Sequence, residues 1–208
     1  MKVVLYGASG MIGSRILQEL LRRGHAVTAV VRDPQKITAA GATVIEGDVN
    51  DPASVAATAK GADAAISAYA PPQTDVDKLS GAIRSLLQGL HAAHVQRLIV
   101  VGGAGSLEIS PGVQLVDSPL TPAQWKPIAN AHRNALPLLH ESSLDWTYFS
   151  PAAFIQPGER TGKFRLGGTQ LVTDAKGESR ISAEDYAVAL VDELENPRHI
   201  RRQFTAAY

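Results

Sequence analysis

Cysteine is missing from all 208 residues, which removes disulfides, thiolate metal sites and cysteine nucleophiles together. Net charge is missing too, with 20 Lys plus Arg against 20 Asp plus Glu. A dedicated nucleic-acid binder needs a basic excess to displace counterions from phosphates, so nucleic acid is not an expected partner. No apolar run approaches the roughly 20 residues of a membrane span, and no membrane partner is expected. The amino terminus enters strand-like sequence without the charged and apolar order of a signal peptide, so the expected location is cytoplasmic. His91 and His94 stand three apart but lack a nearby third ligand, and no metal site is expected. There is no G-x-S-x-G elbow, hence no sign of serine hydrolase chemistry. What is present is 45 % hydrophobic and 19 % charged residues, an ordinary globular composition with enough chain for one sizeable core.

The chain alternates short apolar runs with helical patterns. Residues 2–6 (KVVLY) read as a strand buried on both faces, and Gly7 stops it. Residues 11–23 read as a helix on the spacing of Ile12, Ile16, Leu17, Leu20 and Leu21, with Gly24 as its cap. Residues 26–31 and 43–46 read as strands. Asp33-Pro34 and Asp51-Pro52 each read as a helix start. Further strands are expected over 63–68, 97–102 and 146–150, and helices over 76–93 and from a Thr121-Pro122 cap to about residue 142, kinked at Pro137. Repeated strand–helix units require right-handed crossovers, so the expected class is α/β. The architecture is a Rossmann-type, doubly wound, mainly parallel sheet with helices on both faces. The rhythm breaks after Ser150. Residues 151–177 are rich in Gly, Pro and Thr, with short strands possible at 163–166 and 170–172. A helix over 182–194 follows, with Ser182 as N-cap and Asp185 at N3, then a last strand over 202–206. The expectation is one domain over 1–208, with 151–181 as a small C-terminal, substrate-side region.

The strongest motif is Gly7-Ala8-Ser9-Gly10-Met11-Ile12-Gly13, between the first strand and the first helix. Gly7 permits the turn, Gly10 lets the backbone approach a pyrophosphate, and Gly13 lets the helix pack on the sheet. The helix N-terminus then offers free N–H groups to the phosphates. This context makes the segment a dinucleotide loop rather than a plain glycine turn. Arg32 leaves the second strand where NAD enzymes usually place a carboxylate, and Asp33 is occupied as the cap before Pro34. Arg32 is then either a fork for a 2′-phosphate, which favours NADPH over NADH, or an exposed surface residue. Asp48, next to Val49, either accepts from the adenine amino group or makes an Asx turn. Ser67, Ala68 and Tyr69 end the fourth strand where the nicotinamide ribose should pass.

The segments GASGMIGS, VVRDP, EGDV, RLIVVGG, LDWTYFSPAA, PGERTGKFRLGG and SRISAEDYAVALVDELENP together resemble the atypical short-chain dehydrogenase/reductase group. Within it the likeness is to the NAD(P)-binding set described as NADH-flavin reductases, related to flavin reductase/biliverdin reductase B and to NmrA-like proteins. The resemblance covers nearly the whole chain and implies a Rossmann fold with a bound pyridine nucleotide. Ordinary short-chain dehydrogenases use a Tyr-x-x-x-Lys pair as acid and base. Here the residues four places after Tyr6, Tyr69, Tyr148 and Tyr186 are Gly10, Gln73, Ala152 and Leu190, and Pro122 stands four before Lys126.

Hydride transfer to a flavin or quinone needs no strong acid or base, because orientation over a conjugated ring carries most of the rate. The expected function is an NAD(P)H-dependent reductase of such acceptors, NADPH preferred and NADH possible, with flavin as substrate rather than tightly bound group. Gly102 and Gly103 are expected at the nicotinamide, their loop admitting a flat ring. Ser106 would bond the carboxamide or substrate, or else be a solvated turn residue. Trp125 reads as a stacking wall or a half-buried aromatic. Lys126 reads as a contact to ribose or an anionic substrate, or as a surface lysine. Ser150, Pro151 and Ala152 should touch the carboxamide. His132 reads as a proton donor or, the better reading, as a surface helix residue. Glu159, Arg160 and Lys163 read as a loop that closes over substrate or is solvated. The rival function is a non-enzymatic, NmrA-like NADP(H) sensor; an epimerase- or dehydratase-like enzyme is disfavoured by the missing dyad. The chain is expected to be a monomer or homodimer.

Overall fold

The computed structural model describes all 208 residues, Met1 to Tyr208. The apolar run β1 (Lys2–Tyr6) leads through the glycine loop into α1 (Met11–Arg22), then β2 (Ala26–Val31) and β3 (Thr43–Glu46). α2 (Pro52–Ala59), β4 (Ala64–Ser67), α3 (Lys78–Ala92) and β5 (Arg97–Val101) follow. After a small hairpin, β6 (Glu108–Ser110) and β7 (Val113–Gln114), come α4 (Lys126–His140) and β8 (Asp145–Ser150). The last part holds β9 (Phe154–Gln156), β10 (Arg165–Gly167), β11 (Arg180–Ser182), α5 (Ala183–Glu195) and β12 (Arg202–Ala207).

Eight strands form one sheet in the order β10-β12-β8-β5-β4-β1-β2-β3. Only β10 runs antiparallel to its neighbour. Strand order reverses at β1, and crevices at such switch points bind ligands beyond the carboxyl ends of the strands. Tyr6 pairs with Val30 on one side and Ser67 on the other, so the three strands end level there. Alternation along each strand builds two cores. Val3 and Leu5 join α1 and α5 on one face, and Val4 and Tyr6 join α2, α3 and α4 on the other. This is the Rossmann-like α/β architecture expected from the strand–helix rhythm.

Several local readings need correction. Asp33 does cap, accepting from the Gln35 N–H, but what it starts is a 3-10 turn over Pro34–Lys36 and not a helix. α4 begins at Lys126, after a separate 3-10 turn over Ala123–Trp125, so Thr121-Pro122 is not its cap; Pro137 sits inside its unbroken span. Residues 170–172 form no strand, only one bridge between Gln170 and Glu108. Ser182 caps α5 by accepting from the Asp185 N–H. The Asp185 carboxylate does not close the box; it accepts from the Gly162 N–H and from the Thr161 and Tyr208 hydroxyls.

That carboxylate is one of three holding the 157–162 segment. Gly158 N–H donates to Glu184, whose carboxylate also pairs with Arg15 of α1 at 3.0 Å. Arg160 makes a bidentate pair with Glu19 of α1, at 2.8 and 2.9 Å, and Arg23 reaches the same carboxylate at 2.8 Å. The charged loop of Glu159, Arg160 and Lys163 therefore belongs to a strap pinned across α1 and α5. Glu19 is only 3 % exposed. The hydrogen bonds from Arg160 lead in holding its pKa down to about 2, below the ordinary value near 4.3. Stability from this depressed group is present above the unfolded value and is lost as pH falls toward 2. Between pH 6 and 3, urea midpoints should fall more for the wild type than for Glu19→Gln. We expect a difference on the order of 2 kcal/mol after solvent screening.

Candidate functional site

The carboxyl edge at the strand reversal holds a groove of about 170 Å³. Of the residues expected at a cofactor, it brings together Gly7, Ser9, Gly10, Arg32, Asp48, Val49, Ala68 and Tyr69. It adds Gly47, where a Cβ would stand 2.7 Å from Val30; the sequence signal was the Glu-Gly-Asp run after β3. Ala8 lies in the core instead, and Met11 is exposed beside the groove.

The three loop glycines have different reasons to be glycine. Gly7 has φ +78°, and a Cβ there would lie 2.5 Å from the Ala68 carbonyl oxygen. A Cβ on Gly13 would lie 2.0 Å from the Gly7 carbonyl oxygen. Both are demanded by the fold. Gly10 is not: its φ of −73° suits any residue, and its nearest neighbour would be 3.4 Å away. Gly10 is the N-cap of α1 and has no side chain to cap it, so the first N–H groups of the helix meet no protein acceptor. An uncapped helix end behind an open glycine is a fitting cradle for a pyrophosphate.

Arg32 makes no ion pair or hydrogen bond, and its charge helps lower the Asp48 pKa. The larger influence on Asp48 is Asn50, whose backbone and side-chain N–H groups both donate to its Oδ1 at 2.9 Å. Asp48 thus makes the Asx turn, with Oδ2 left unbonded.

The next strand ends form a separate cluster. Gln203 of β12 donates to Ser106 at 2.8 Å and to Ser150 at 2.9 Å, and Ser106 donates to the Gly103 carbonyl. Ser106 is buried, so it is neither solvated nor pointed at an open site. Gly102 and Gly103 are glycines for packing, since Cβ atoms there would stand 2.3 Å from the Tyr148 ring and 2.7 Å from His132. Ser67, Ser150 and Ala152 are also buried, and Pro151 with them. Trp125 is 49 % exposed, and Lys126, half-buried beside it, makes no hydrogen bond or ion pair. His132 is half-buried rather than a free surface residue. Its Nδ1 is buried without a partner, and burial pulls its pKa down to about 4, leaving the ring neutral. Gln203 gave no sequence signal, because nothing in a six-residue terminal strand points to the loop it ties.

The tyrosine hydroxyls are largely spent inside the protein. Tyr6 donates to Val55 and meets Thr58, with its pKa pushed up to about 12 by burial. Tyr148 donates to the His132 carbonyl and Tyr186 to the Phe149 carbonyl, and burial raises both pKa values.

A second, larger cleft of about 700 Å³ lies on the small parallel pair β9 and β11. Ile155 and Ile181 face the core, while Phe154, Gln156 and Arg180 line the cleft, with the strap as its other wall.

A family model described as NAD(P)H-binding matches residues 7–197. The chain belongs to that NAD(P)H-binding family. YwnB of Bacillus subtilis, whose function is uncharacterised, is 41 % identical, over 99 % of this chain and 97 % of its own. A Burkholderia pseudomallei structure, provisionally named an exported protein, is 51 % identical with TM-score 0.93, covering 100 % of each chain. A Streptococcus pneumoniae structure, provisionally named an NADH-flavin reductase, is 36 % identical with TM-score 0.90, covering 100 % of this chain and 99 % of that one. No helix of this NAD(P)H-binding protein is long and apolar enough to cross a membrane.

The glycine geometry separates ligand from fold. Gly10→Ala should stay within about 0.5 kcal/mol of wild type in urea unfolding. By calorimetry it should lose about tenfold or more in reduced-nucleotide affinity, from blocked phosphate approach. Gly13→Ala should cost on the order of 2–4 kcal/mol of stability, through its clash with the Gly7 carbonyl.

Proposed function

We propose that the protein is an NAD(P)H-dependent reductase, preferring NADPH, of a flavin, quinone or similar conjugated acceptor. The observation that carries this is Gly10, a glycine that the fold does not require, in front of an uncapped helix end. In this reading Gly7, Ala8, Ser9, Gly10, Met11, Ile12 and Gly13 present backbone to the pyrophosphate. Arg32, exposed and unpaired, takes the 2′-phosphate as a planar fork. Asp48 Oδ2, with Val49 beside it, faces the adenine, and Ser67, Ala68 and Tyr69 follow the ribose. Bound there, a reduced nicotinamide supplies a hydride.

The residues around Gly102 and Gly103 then act by position. Ser106 and Gln203 hold the loop through the Gly103 carbonyl and Ser150, so that its backbone, with Pro151 and Ala152, keeps the nicotinamide end in place. Lys126 is free to meet a ribose hydroxyl or an anionic substrate group. The committed Tyr6, Tyr148 and Tyr186 hydroxyls supply no acid to the groove, and reduction of a conjugated ring needs none from them. Residues 151–181 are the substrate-side lobe of the single domain. The S. pneumoniae structure's name supports the same reading.

Two measurements test it. Steady-state oxidation of NADPH should be seen with at least one of FMN, FAD, riboflavin and quinones; binding without any turnover would favour a nucleotide sensor. Arg32→Ala should raise KM for NADPH by about tenfold or more while changing that for NADH by less than about twofold. Equal effects on both would remove the 2′-phosphate role.

A further inference from the structure

The larger cleft has three properties that together select a ligand. Phe154 lines it and is 58 % exposed, so much of its apolar surface stands open to a ligand. Phe154 and Arg180 stand opposite each other in register on β9 and β11. Gln156, two residues on and on the same face, has an amide that makes no hydrogen bond in the protein. An apolar ring beside an unspent amide suits a flat conjugated molecule with carbonyl or imide groups at its edge.

Charge narrows the class further. The wall holds one cation, Arg180, and its guanidinium is 3.7 Å from the Glu178 carboxylate. Glu159, on the strap, has no ion-pair partner. The wall therefore carries a net negative charge, which disfavours a dianionic phosphate tail and leaves an uncharged ring unaffected.

Position links this cleft to the nucleotide groove. The strap that forms one wall is bonded from Gly158 to Glu184, from Glu184 to Arg15, and from Arg15 to the Met11 carbonyl in the first turn of α1. Phe154 itself follows Ser150 by four residues.

We infer that this cleft binds the acceptor, and that the acceptor is an uncharged flat ring, a quinone or an unphosphorylated isoalloxazine, rather than a flavin nucleotide. The inference rests on the reductase reading for the word acceptor; the binding site and its charge preference stand apart from it. Phe154 stacks on the ring, Gln156 bonds its polar edge, and Glu159 repels phosphate.

The test is equilibrium binding of riboflavin and FMN to the full chain, read by flavin fluorescence, with and without saturating NADP⁺. Riboflavin should bind at least fivefold more tightly than FMN, and the difference should shrink as salt is raised. Phe154→Ala should weaken riboflavin about tenfold with NADP⁺ affinity unchanged, and Phe154→Tyr should restore it to within about twofold. Glu159→Gln should narrow the gap between the two flavins. Equal or tighter binding of FMN, no binding of riboflavin, or indifference to Phe154→Ala would each overturn the inference. Riboflavin binding that depends on Phe154 in a protein that takes no nucleotide would uphold the cleft while removing the reductase reading.

Discussion

Everything at the carboxyl edge depends on how closely α1 approaches β1. The Gly13 backbone sits where an added methyl would stand 2.0 Å from the Gly7 carbonyl oxygen. That approach fixes the direction in which the helix starts. It places three unbonded N–H groups at the mouth of the groove, and it sets the line on which Arg15, Glu19 and Arg23 emerge from the opposite side of the helix. The same contact thus governs an uncapped helix end at the groove and an ion-paired strap along its flank. Helix position here is a steric quantity before it is an electrostatic one.

From this constraint the molecule divides into a half that carries the groove and a half that carries the larger cleft, with different physics. The groove's half is built largely from backbone and small residues, with one unpaired arginine at its rim. The other half is built on a two-stranded parallel pair that has no independent stability. It is held in place by carboxylates of α1 and α5. Glu19, Glu184 and Asp185 each accept from the strap, so the walls of the larger cleft are attached to the helices that frame the groove. The two sites share a skeleton even though they share no lining residue.

The central sheet was legible because its strands are buried on both faces. KVVLY, AVTAVV and RLIVV are continuous apolar runs between glycines and helices, and little else folds that way. The glycine loop between β1 and α1 was legible for the same local reason. What the sequence hid was mostly non-local. β9 and β11 are three residues each, too short for any period, and residues 157–179, with only the short β10 among them, separate the two. Ser106 looked like a free hydroxyl because its partner, Gln203, lies 97 residues away. His132 looked like a surface residue because helical spacing says which face is apolar but not that a glycine turn will cover a polar one. The glycines of residues 102–105 looked like room for a ligand, whereas the structure fills that room with Tyr148, His132 and Ala129.

Glu19 and Arg160 lie 141 positions apart in the chain, yet neither has a tolerable solitary state. Arg160 alone would leave the strap one of its three carboxylate anchors short, and Glu19 alone would keep a carboxylate in the interior with one arginine fewer to neutralise it. The two are therefore expected to drift as a unit, exchanged together for an apolar pair or retained together. A lineage that rebuilds its strap inherits the task of redesigning the far side of α1.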